Sequence, residues 1–164
     1  MKFWKHSLLS AGMFLALATT VTYTSCVHDS CKALMCRNGG TCADEFCRCP
    51  TGYEGTQCEI ISRNKFLGTF TGKTQVNGQP VTGDAATVEP DYKVEGITGL
   101  KVTILSRTPE VITGVIDVTG KEVIVQNTDD KKVTWKMVAD NRIEILIEEM
   151  KNGEKFITNF QGNK

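Results

Sequence analysis

The segment Val133-Thr134-Trp135-Lys136-Met137, followed after Asp140-Asn141 by Ile143-Glu144-Ile145-Leu146-Ile147-Glu148, alternates apolar and polar residues with a period of two. Successive side chains of an extended strand point to opposite faces, so Val133, Trp135 and Met137 share one face, as do Ile143, Ile145 and Ile147. Lys136, Glu144 and Glu148 fall on the other face, and Phe156 and Phe160 repeat the pattern further along. One dry and one wet face predicts antiparallel strands around a single core.

Working outward from this hairpin, runs rich in Val, Ile and Thr predict strands near 65–75, 87–95, 99–106, 111–118, 121–127, 132–139, 142–150 and 154–161. The breaks carry turn chemistry: Asn77-Gly78, Gly83-Asp84, Thr119-Gly120, Asp129-Asp130, Asp140-Asn141 and Asn152-Gly153. No useful helix-period stretch occurs. Sequential hairpins without a long crossover give an all-β, antiparallel, up-and-down barrel, because closure removes the edges that invite aggregation; a β-sandwich is the alternative.

The whole chain has 164 residues, 19 Lys+Arg against 19 Asp+Glu, and 40% hydrophobic residues. Residues 60–164 alone carry 14 basic and 14 acidic side chains. Balanced charge leaves no footprint for nucleic acid or other polyanions, and the aliphatic content excludes a disordered or collagen-like chain.

The first 25 residues differ in kind. Lys2 and Lys5 precede an apolar stretch from Leu8 to Ala18 and a polar run from Thr19 to Ser25. Eleven residues at ~1.5 Å each span about half of a ~30 Å hydrocarbon core, so the stretch reads as a signal peptide. Thr24-Ser25-Cys26 resembles the lipobox of bacterial lipoproteins, in which cleavage before an acylated cysteine leaves a lipid anchor; Tyr23 stands where that family usually carries an aliphatic residue. Ordinary cleavage after Ala16-Leu17-Ala18 is the alternative. The lipobox reading expects a protein exported and held in the outer membrane or at the surface of a Gram-negative cell through Cys26.

Six further cysteines, Cys31, Cys36, Cys42, Cys47, Cys49 and Cys58, are separated by four, five, four, one and eight residues. So dense a set in 28 residues is a disulfide scaffold, since a segment this short buries too little apolar surface to fold unaided. It leaves Cys26 as the odd thiol, a liability in an oxidising compartment that acylation removes. Spacing alone leaves 15 connectivities open. The segments Cys36-Arg37-Asn38-Gly39-Gly40-Thr41-Cys42 and Cys47-Arg48-Cys49-Pro50-Thr51-Gly52-Tyr53-Glu54-Gly55-Thr56-Gln57-Cys58 resemble an EGF-like domain. That resemblance implies the pairs Cys31 with Cys42, Cys36 with Cys47, and Cys49 with Cys58.

Calcium-binding EGF-like domains carry an acidic or amide cluster ending in Glu or Gln before the first cysteine; Val27-His28-Asp29-Ser30 stands here, which disfavours calcium. Gln57 and Glu59-Ile60-Ile61 around the last cysteine disfavour growth-factor activity. A rigid spacer is the remaining reading, with a recognition surface on Arg37, Arg48 and Tyr53 as its competitor. Phe66-Leu67-Gly68-Thr69-Phe70-Thr71-Gly72, opening the strand-rich part, resembles the lipocalin-like domain of small surface lipoproteins of the Bacteroides type, where it follows an EGF-like module. The reading divides the chain into a signal peptide (1–25), a lipid-anchored tether (26–30), an EGF-like domain (31–59) and a barrel (60–164).

The residues offer little for catalysis. His28 is the one histidine after the signal peptide, and Ser62 and Ser106 are the only serines after the module. No nucleophile elbow, phosphate loop or zinc spacing occurs, so no catalytic residue, cofactor or metal is assigned. The carboxylate pairs Glu144 with Glu148 and Glu89 with Asp91 read as solvated rather than as a glycosidase dyad. Binding is the expected role: the barrel, on its spacer, meets a protein or carbohydrate surface through loops such as Asn77 to Glu89. The alternative is a carrier of a small apolar ligand lined by Phe70, Val102, Ile104, Trp135, Met137, Ile145, Phe156 and Phe160, though a barrel filled by its own side chains is the default.

Overall fold

A computed structural model describes residue 31 and residues 33–164, excepting the side chains of Val81 and Thr82. The cysteine-rich part folds around disulfides rather than a core. Cys31 is bridged to Cys42, Cys36 to Cys47 and Cys49 to Cys58. Strands β1 (Thr41–Ala43) and β2 (Phe46–Arg48) form a hairpin in which Cys42 opposes Cys47. Asn38 and Gly39 adopt positive φ of 50° and 79°, and the Asn38 amide donates to the Cys58 carbonyl at 2.8 Å. Gly40 lies where a Cβ would approach Cys58 Sγ to 2.6 Å, so any side chain would push the two loops apart.

No slack separates this module from the strands that follow. Strand β3 (Tyr53–Glu54) pairs with β4 (Ile60–Ile61), which runs directly into a 3₁₀ turn at Ser62–Lys65. Phe66, next along, is wholly buried in the core of the strand-rich part. Gly52 packs so closely on Ile97 and Thr98 that a Cβ would lie 3.0 Å from both, and Lys65 pairs with Glu54 at 2.7 Å.

Eight antiparallel strands close into a barrel: β5 (Gly68–Val76), β6 (Gln79–Pro90), β7 (Gly99–Ile104), β8 (Ile112–Ile116), β9 (Glu122–Val125), β10 (Lys131–Ala139), β11 (Arg142–Lys151) and β12 (Glu154–Asn163). Each strand pairs with the next in sequence and β12 pairs back onto β5, so no open sandwich forms. The period-two reading holds in detail, with Ile143, Ile145 and Ile147 buried and Glu144 and Glu148 outward. Phe66 meets Trp135 edge to face, ring centroids 6.2 Å apart, in an arrangement that the aromatic quadrupoles favour.

The segment read as a loop, Asn77 to Glu89, is different. Only Asn77-Gly78 is a turn, both residues at positive φ between the paired Val76 and Gln79, and Gln79–Pro90 is the longest strand of the barrel. Gly83-Asp84 marks a bulge rather than a turn: Gly83 has φ +74°, and the β5–β6 register shifts between Gly72 and Thr74.

The ladder is thinnest between β9 and β10, where only Trp135 with Val123 and Lys136 with Glu122 are paired. Beyond them the Asn127 side chain replaces a strand partner, its Oδ1 accepting from the Val133 amide at 2.7 Å. The core residues with the most exposure, Ile112, Val123 and Val133 at 4–6%, border this seam. Asn127→Ala strands the Val133 N–H and is expected to cost about 1–2 kcal/mol. Hydrogen-exchange NMR should show that amide exchanging faster; unchanged exchange would mean the side chain is not its protector.

Candidate functional site

Most of the side chains that would line a ligand chamber are packed inside the barrel, the arrangement taken as the default from the sequence. A void large enough for water would leave accessible area on its walls, yet Phe70, Ile145 and Phe160 have none and Val102, Ile104 and Trp135 have 1%. Met137 packs partly buried against the same cluster. Phe156 is half-buried, with Lys151 Nζ 6.0 Å from its ring centre. The Trp135 indole N–H is buried without an acceptor among the described residues.

The polar chemistry gathers at the end of the barrel away from the disulfide module, where the β7–β8 connection crosses. A 3₁₀ turn at Leu105–Arg107 delivers two adjacent residues to two separate carboxylate anchors. The first is Asp84, 4% exposed, whose Oδ1 accepts from the amides of Ala85 and Ser106 at 2.9 and 3.0 Å. Its Oδ2 accepts from Ser106 Oγ at 2.6 Å and from the Thr74 hydroxyl. The second is Glu149, which receives Arg107 Nη2 at 2.8 Å and Lys151 Nζ at 2.8 Å. Arg107 also donates from Nε to Glu110 at 2.7 Å and from Nη1 to Thr158 Oγ1 at 2.9 Å, and Lys131 pairs with Glu110.

Burial alone would raise the Asp84 carboxyl, but the hydroxyls of Ser106 and Thr74 and the two amides outweigh it and hold the group below the usual carboxylate range. Glu149 and Glu110 follow the same balance. Desolvation raises each, and Lys151 with Arg107, or Lys131 with Arg107, more than offsets it. Hydrogen bonds within the cluster engage both oxygens of Asp84 and all three guanidinium nitrogens of Arg107. Such an arrangement latches the β7–β8 connection across the barrel mouth.

Of the carboxylates paired in the sequence reading, Glu89, Glu144 and Glu148 lie on the outer face, whereas Asp91, expected to be solvated, is buried. Glu144 pairs with Lys136 at 3.1 Å and Glu148 with Lys155 at 2.7 Å, on the outer face. Glu89 pairs with Lys101 at 3.3 Å, and Asp91 accepts from the Lys93 amide at 3.0 Å. Cys26 lies outside the described residues. Sequence reasoning missed the latch, although two signals were available. Glu149 is the next inward position after Ile143, Ile145 and Ile147, and Thr158 falls between the inward Phe156 and Phe160.

No protein-family model matches the chain, and no solved structure matches it. Over 75 residues it is 36% identical to a Neurogenic locus notch homolog protein of Giardia intestinalis, an alignment covering 44% of this chain and 12% of that protein. The likeness and the three bridges fit an EGF-like module. The disulfides also fit an extracellular or exported protein, and among the described residues no helix is long and apolar enough to cross a membrane.

Two outcomes follow from the latch. Arg107→Met leaves Glu149 and Glu110 without their shared cation and is expected to destabilise by about 3 kcal/mol in chemical denaturation; a loss within error of zero would show the latch to be ornamental. The folded carboxyls of Asp84, Glu110 and Glu149 titrate below their unfolded values. Their contribution is therefore complete only above the unfolded carboxylate values, above about pH 5, and is lost as pH falls through the folded values. Asp84→Asn should flatten that fall in circular dichroism, and an unchanged acid transition would remove Asp84 from the account.

Proposed function

We propose that the protein is an exported lipoprotein, anchored through an acylated Cys26 in the outer membrane of a Gram-negative cell, that works by binding rather than by catalysis. The EGF-like module holds the barrel off the membrane, and the barrel's outer surface and loops make the contacts. The filled interior carries this reading. Phe70, Ile145 and Phe160 have no accessible surface, and the Asp84 and Arg107 anchors tie the β7–β8 connection across the mouth away from the module. The small-residue approach to Cys26 and the even number of cysteines left once it is set aside support the anchor. Two or more acyl chains hold stably, whereas a single one holds marginally.

Cys26→Ser is expected to move the protein from the membrane fraction to the soluble fraction when the full chain is expressed in a Gram-negative host. Continued sedimentation with membranes would overturn the anchor.

A further inference from the structure

We propose that the cleft beside Tyr92 is a saccharide-binding site that takes a neutral sugar ring. The proposal rests on the surface-binding reading above and gives that surface a ligand class. Tyr92 lies in the connection between β6 and β7 and is 84% exposed, the highest value among the large hydrophobic side chains described. An aromatic ring held in water contributes little to folding, yet this one is braced. The Arg63 guanidinium sits 6.0 Å from the ring centre, at cation–π distance. Arg63 comes from the 3₁₀ turn that joins the two modules, and its Nε and Nη1 are buried with no acceptor among the described residues. A guanidinium that forgoes hydrogen bonds to lie against an exposed ring makes that ring a rigid platform.

Beside the platform opens a cleft of about 560 Å³, within the size range of small-ligand sites. Pro90 and Val111, the latter 52% exposed, give it apolar wall, and Lys93, Lys101 and Thr113 supply polar groups. Its wall sets Lys93 and Lys101 against the buried Asp91 and the Glu89 that pairs with Lys101, and the Arg63 guanidinium behind the ring adds one positive charge. A site of nearly balanced charge with donors and acceptors close together suits hydroxyl groups, each of which donates and accepts. The electron-rich face of the tyrosine suits the weakly positive C–H face of a pyranose. A polyanion would meet a single net positive charge, that of Arg63 with two of its nitrogens buried, and a long acyl chain would lie among solvated lysines.

The test is affinity electrophoresis of the detergent-solubilised full chain in native gels containing starch, a mixed-linkage β-glucan, xylan or galactomannan, with heparin as the anionic control. Retardation by at least one neutral polysaccharide is expected. Tyr92→Ala should weaken it roughly tenfold, the scale of one aromatic stacking contact, while Tyr92→Phe retains it. No retardation by any of the four, or retardation by heparin alone, would overturn the saccharide class. Retardation undiminished in Tyr92→Ala would overturn this site while leaving a protein that binds through its surface. A ligand inside the barrel would instead survive as extra mass in native mass spectrometry, so failure of the broader reading reads out separately.

Discussion

The fold depends on the meeting of its first and last barrel strands. Gly72 on β5 faces Gly162 on β12, and a Cβ on Gly72 would run into the Gln161 carbonyl and the Gly162 backbone. A Cβ on Gly162 would strike the Phe160 ring at 2.5 Å and approach Phe70 to 3.1 Å. Two opposed glycines thus let the strands close while Phe70 and Phe160 turn inward beneath them. The six pairs from Thr158 with Val76 to Asn163 with Thr71 convert an eight-strand meander into a barrel without free edges. Once closed at this size, the barrel must be filled by its own side chains or hold a ligand.

Filling and closure determine what the molecule can offer. Trp135, Phe66, Phe70 and Phe160 occupy the interior, with the aliphatic residues of β7 and β11 around them. At one end the module is tied in by the Lys65–Glu54 pair and the Gly52 contact; at the other, Asp84, Glu149 and Arg107 pin the β7–β8 connection. Partly buried charges of this kind are costly to break once formed, because either partner left alone keeps its desolvation penalty. What remains available is the outer surface, where braced Tyr92 and the cleft beside it stand out from a face of balanced charge.

Much of this was legible in the residues, unevenly so. Strict alternation in β10 and β11 gave strands, faces and neighbours together, since a one-residue slip would have turned every isoleucine to water. Asn77-Gly78 and Gly83-Asp84 were both read as breaks within one loop, because a hairpin turn and a bulge both call for glycine at positive φ; the first is the turn and the second the bulge. That error hid Asp84, a buried carboxylate that accepts four hydrogen bonds. The latch depends on Arg107 reaching Glu149 across 42 residues of sequence, a juxtaposition that no local pattern encodes. Arg63 and Tyr92 were equally silent, since their meeting arises only when the connection between modules lies against the β6–β7 loop.

The filled barrel is tested most directly by mass spectrometry of the full chain, compared under native and denaturing conditions. The native mass is expected to equal that of the denatured chain with its three disulfides intact. A reproducible additional mass from a small apolar molecule, released on denaturation, would contradict it and make the barrel a carrier.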